Sequence, residues 1–98
     1  HLLKEVNHNS NIKSWFVDEL NSLGFIAYKT QANFIFVIIP EKENQSASLI
    51  NDYLLSRGVA VRYLLSYGLA NALRITLGTE EELKKTIELL KKFLINNE

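Results

Sequence analysis

The sequence predicts an α+β fold in two layers, a small sheet with helices on one face, in the order α-β-β-α-β-β-α. Three observations carry that expectation. Apolar residues recur at helical spacing in three separated segments. Between those segments lie four short runs with the alternation or continuous apolar character of strands. Glycine and proline fall at the joints, at Gly24, Pro40, Gly58 and Gly68, and not inside the periodic segments. At 98 residues the chain suffices for one core, so residues 1–98 are read as a single domain.

Residues 1–8 fit either a helix tail or a linker, and pattern does not choose between them. Asn9, Ser10 and Asn11 offer N-cap side chains, and Ile12, Trp15, Phe16, Leu20 and Leu23 follow at helical spacing. A helix over about 11–23 is expected, closed by Gly24. Phe25–Tyr28 reads as a short strand and Lys29–Ala32 as a polar turn. Asn33–Ile39 is apolar at both alternating sets of positions, so it is expected to be central and covered on both faces. Pro40 ends it, because proline cannot donate to a sheet ladder. A charged loop, Glu41–Gln45, leads to a helix over Ser46–Ser56 with Leu49, Ile50, Tyr53 and Leu54 on one face. Val59–Tyr63 sets Val59 and Val61 on one face and Ala60 and Arg62 on the other. Ser66–Asn71 is a loop pivoting at Gly68. Leu73–Leu77 sets Leu73, Ile75 and Leu77 against Arg74 and Thr76. Thr79-Glu80-Glu81-Glu82 is a capping box, in which Thr79 bonds the N–H of Glu82 and Glu82 reaches back. Leu83, Ile87, Leu90 and Leu94 form the apolar stripe of the last helix, widened by Leu89 and Phe93.

Three helices on one sheet face leave the other face of Asn33–Ile39 bare. That face is expected to meet something outside this sequence, another domain or another subunit.

Composition removes several function classes. Eleven basic and eleven acidic residues cancel, and no basic stripe suggests a nucleic-acid partner. Without cysteine there is no disulfide, thiolate zinc site or thiol nucleophile. The longest apolar run, Phe34–Ile39, is too short to span a bilayer, and the first residues do not resemble a signal peptide, so a cytoplasmic protein is expected. His1 and His8 have no metal-ligand spacing and are read as solvated or linker residues.

Arg62 and Arg74 are the candidate binding residues. Each lies inside an apolar strand, on the face away from the helix-facing valines and leucines. A guanidinium is planar, permanently charged and suited to two-pronged bonding with phosphate or carboxylate. Pattern alone leaves two readings open: convergence on one anion, or separate pairing with surface glutamates. Asn33 more simply ties down its own turn. Tyr67 is either a lid residue or an exposed aromatic, and Tyr28 and Tyr63 are read as packing residues. Glu80–Glu82 is a cap and not a catalytic pair, Ser66 lacks a nucleophile-elbow context, and no phosphate-cradling glycine loop is present.

Four phrases taken in order, NFIFVI, RGVAVR, YGLANALRIT and LGTEEE, resemble the C-terminal small domain of the histidinol-phosphate aminotransferase family, within the class I/II, fold-type I aminotransferases. The resemblance runs from about Val6 onward. It implies that Arg74 grips the acidic group of the substrate, the phosphate of histidinol phosphate or the carboxylate of glutamate, and that Arg62 lines the same pocket. It also implies pyridoxal 5'-phosphate as cofactor, a large domain of the same chain that holds it, and a homodimeric parent. Ala70 stands where the family often has proline, implying a less rigid loop, and Leu83 stands where asparagine is common. No stretch resembles the Schiff-base lysine motif. Lys84, Lys85, Lys91 and Lys92 lie on a solvated helix, whereas that role needs a desolvated lysine. The expectation is therefore an inactive part of a longer aminotransferase of histidine biosynthesis, with which the initial histidine is consistent. Two alternatives remain: the small domain of an aromatic-amino-acid aminotransferase or related decarboxylase, and a non-catalytic α+β module that binds an anion or a partner.

Overall fold

The computed structural model describes residues 2–30, 32–42 and 45–96, with side chains from residue 11 to residue 95 of these. Three helices, α1 (Leu2–Ser22), α2 (Ala47–Ser56) and α3 (Glu80–Asn96), accompany four strands, β1 (Ile26–Lys29), β2 (Phe34–Ile38), β3 (Val61–Tyr63) and β4 (Ala72–Thr76). The predicted α-β-β-α-β-β-α order and α+β class hold, with one 3-10 turn, Leu65–Tyr67, between β3 and β4. The strands form one antiparallel sheet in the order β1-β2-β4-β3. The strong apolar strand β2 is central, as its composition requires.

Side-chain alternation divides the sheet into two faces. Ala27, Ile35, Val37, Leu73 and Ile75 are buried and pack with Phe16 and Leu20 of α1, Ile50 and Leu54 of α2, and Leu83, Ile87 and Leu90 of α3. Each fully buried side chain of this size contributes about 1.5–3 kcal/mol relative to exposure. The opposite face carries Ile26, Tyr28, Phe34, Phe36, Ile38, Arg62, Arg74 and Thr76, exposed or half-buried, with Ala72 buried at its end. The bare second face expected from sequence is therefore present among the described residues.

Local polar bonds fix the joints. Asn21, in the last turn of α1, bonds both backbone groups of Ala27: it accepts from the N–H and donates to the carbonyl. Its amide thus substitutes for a strand partner at the outer edge of β1. Lys13 of α1 donates to the carbonyls of Thr30 and Ala32 in the β1–β2 turn. Ser46 caps α2 by accepting from Leu49 N–H. The capping box closes reciprocally, with Thr79 N–H donating to Glu82 Oε1 at 2.8 Å and Glu82 N–H to Thr79 Oγ1 at 3.1 Å. The Tyr53 hydroxyl donates to the Leu89 carbonyl, joining α2 to α3.

Several expectations need correction. Helix α1 does not begin at residue 11: its backbone runs from Leu2, so Asn9, Ser10 and Asn11 lie inside it. Of the two readings for residues 1–8, residues 2–8 are helix, while His1 and the side chain of His8 lie outside the described residues. Leu49 does not join the buried face of α2, being 49% exposed; Ala47, Ile50, Asn51 and Leu54 form that face. Tyr28 packs against Phe36, 6.3 Å between ring centres, on the bare face and not in the core, and is 52% exposed. Val59 and Ala60 precede β3, although Thr76 N–H still bonds the Ala60 carbonyl.

Candidate functional site

The sheet register assembles a row of four side chains across the bare face. Tyr28 of β1 faces Phe36 of β2, Phe36 faces Arg74 of β4, and Arg74 faces Arg62 of β3. The two arginines flagged in the sequence are thus direct cross-strand neighbours on one face. Like charges directly opposite each other destabilise a sheet. Among the described residues neither guanidinium pairs with a carboxylate, so the glutamate-pairing alternative finds no support there.

The two differ in setting. Arg62 is exposed on an edge strand, whereas Arg74 is half-buried on an inner strand. The Arg74 guanidinium carbon lies 5.0 Å from the centre of the Phe34 ring, diagonally displaced on β2. Its Nε is buried and has no hydrogen-bond partner. A buried donor without an acceptor is destabilising by about 1–3 kcal/mol, more when charged, which makes Arg74 the strained member of the pair.

The remaining flagged residues play supporting parts. The Asn33 backbone carbonyl accepts from Leu77 N–H, tying β2 to the end of β4. The Tyr63 hydroxyl donates to the Ala70 carbonyl at 2.6 Å, so the loop lacking the family proline is held by a side-chain bond. Gly68 ends the 3-10 turn with φ of 80°, a left-handed conformation that favours glycine. Tyr67 is 64% exposed. The contact of Phe34 with Arg74 escapes sequence reading, because a diagonal neighbour appears only once the register is known.

Among the described residues, one cleft lies elsewhere. A cleft of about 330 Å³ between the start of β3 and the first turns of α3 is lined by Arg57, Ala60, Thr76, Gly78, Glu82 and Lys85 among others, and includes neither Arg62 nor Arg74. Arg57 is already engaged there, over the Tyr53 ring at 4.2 Å and bonded to Ser56. Among the described residues, the arginine row lies on the sheet face away from the helices.

Pyridoxal phosphate does not fit the described residues. Lys29, Lys42, Lys84, Lys85, Lys91 and Lys92 are exposed, and half-buried Lys13 is committed to two backbone carbonyls. None has the desolvated setting of a Schiff-base lysine. No described cluster of His, Asp or Glu is arranged to hold a metal ion, and no described helix is long and apolar enough to cross a membrane.

Comparison with known proteins identifies the family. The family described as aminotransferase class I and II matches residues 8–90. Histidinol-phosphate aminotransferases from Nitrobacter hamburgensis and Nitrobacter winogradskyi are 36% and 37% identical over 87 residues, covering 89% of this chain and 24% of each relative. A crystal structure from Burkholderia pseudomallei, assigned to the aminotransferases, superposes with a TM-score of 0.65 at 26% identity, over 82% of this chain and 23% of that one. The chain spans about a quarter of the length of the curated relatives it matches.

Proposed function

Because this chain belongs to the class I and II aminotransferases, we propose that it is the substrate-anion wall of such an enzyme. Arg74 is the primary grip and Arg62 the second cation of the pocket. The carrying observation is the direct apposition of Arg62 and Arg74 on a bare face, with no described carboxylate to neutralise them. An arriving anion would replace like-charge repulsion by two charge-assisted contacts.

The substrate class follows from that geometry together with the relatives' names. Histidinol phosphate carries a phosphate ester and glutamate a side-chain carboxylate, so one pair of cations can receive both partners of the exchange. In the reading we favour, the parent enzyme moves an amino group between glutamate and imidazole-acetol phosphate, a step of histidine biosynthesis. The family uses pyridoxal phosphate in general. Since the described residues do not fit that group, we assign it to a large domain outside this sequence. The bare face, with Tyr28 and Ile26 exposed, is then the side that meets that domain, in a cytoplasmic homodimer.

Arg74→Lys in the full-length enzyme tests the assignment. A lysine keeps the charge but not the fork. Loss of one charged hydrogen bond corresponds to roughly a tenfold or greater rise in KM for the acidic substrate. Assays with histidinol phosphate, phenylalanine and threonine phosphate identify the preferred one. Unchanged kinetics with every acidic substrate would sink the reading.

A further inference from the structure

We propose that Phe34 is a positioning residue for Arg74, holding its guanidinium in one orientation before any anion arrives. The proposal rests on the reading of Arg74 as the anion grip. Three observations carry it. The guanidinium carbon lies 5.0 Å from the centre of the Phe34 ring, within the range of cation–π attraction. Arg74 leans along this diagonal although Arg62 and Phe36 are its direct neighbours. Among the described residues no hydrogen bond or carboxylate orients it instead.

The platform is itself anchored. Phe34 opens β2, and its carbonyl accepts from Thr30 Oγ1 at 2.7 Å. The preceding carbonyl, of Asn33, accepts from Leu77 N–H at 2.8 Å. Lys13 holds the turn leading into it through Thr30 and Ala32. The ring therefore starts from a backbone fixed on both sides. The ring, unlike a carboxylate partner, does not neutralise the guanidinium charge, which stays available to an anion. Preorganisation of this kind acts on binding and leaves the chemical step alone.

The test uses the full-length, cofactor-loaded enzyme with Phe34→Leu, Phe34→Met and Phe34→Tyr, each alone and combined with Arg74→Ala. Leucine and methionine keep an apolar side chain without a ring, and tyrosine keeps the ring. The expected result is a rise of roughly three- to tenfold in KM for histidinol phosphate with leucine or methionine, with kcat within about twofold. The dissociation constant of inorganic phosphate, measured by competition without turnover, should rise in parallel. Tyrosine should restore both values, and leucine should add nothing in the Arg74→Ala background. If Arg74→Ala itself leaves KM unchanged, the anion-site reading falls and this inference with it. If Arg74→Ala raises KM, three results overturn the role of Phe34 alone: no effect of leucine and methionine, the same effect with and without Arg74, or failure of tyrosine to restore. Should Phe34→Leu not fold, the methionine and tyrosine variants decide by the same criteria.

Discussion

Leu73 and Arg74 are neighbours in the chain and opposites in setting. Leu73 points into the helical layer and is fully buried among apolar side chains, while Arg74 points to the bare face with a buried Nε that nothing satisfies. Each face of the sheet follows a different logic. The covered face has its helices, core residues and caps within the described residues, and one buried polar atom without a partner, Asn51 Oδ1. The bare face is incomplete: it holds two like charges in register and aromatic side chains half in water. A fold evolved for stability alone has little reason to place Arg62 opposite Arg74. The unfavourable pair makes sense once an anion completes it.

The comparison predicts a division between stability and binding. Leu73→Ala should reduce unfolding free energy by about 2–5 kcal/mol, through lost burial and the cavity left behind. Chemical denaturation measures it, and a loss well under 1 kcal/mol would mean that the covered face is not the core. On the bare face the sign should reverse. Arg62→Gln removes one of two opposed charges, so it should stabilise the isolated fold by roughly 0.2–1 kcal/mol while weakening anion binding in the full-length enzyme. Stability and affinity moving together would contradict the proposed role of the pair.

The two faces were also unequally legible in the sequence. Period-two alternation was enough to separate Leu73 and Ile75 from Arg74, and Val61 from Arg62, because strand geometry makes that separation obligatory. The caps at Ser46 and Thr79 were legible because a side chain three residues from its backbone partner leaves a local signature. Local signals misled at α1, where Asn9, Ser10 and Asn11 look like a helix start yet lie within a continuous helix. Propensity is weak against the context of a long helix. Tyr28 is legible as a packing aromatic, but not which face it packs on, since that depends on register. The Phe34–Arg74 contact needed a diagonal across two strands, and no single-strand pattern contains it.

The smallest expected effect concerns the helical layer and its response to acid. The Glu82 carboxyl is held below its ordinary value of 4.5, first by the backbone hydrogen bond from Thr79 and then by the Thr79 side-chain bond. A folded-state value below the unfolded one means the carboxylate contributes stability above the unfolded value. That contribution fades as pH falls through the lower folded value. Gly78 offers a way to remove it without touching either partner. A Cβ at Gly78 would lie 2.5 Å from Glu82 Oε1, and Gly78 is not among the positive-φ glycines, so the carboxylate must move while the backbone need not. Gly78→Ala should therefore flatten the part of the acid-induced fall in melting temperature that Glu82 supplies as pH drops below its ordinary value of 4.5, as Glu82→Gln should. The effect should be confined to the start of α3 and leave Arg62 and Arg74 in register. An undiminished acid response in Gly78→Ala would mean that Glu82 finds another route to Thr79, and that the capping box does not depend on the bare backbone at Gly78.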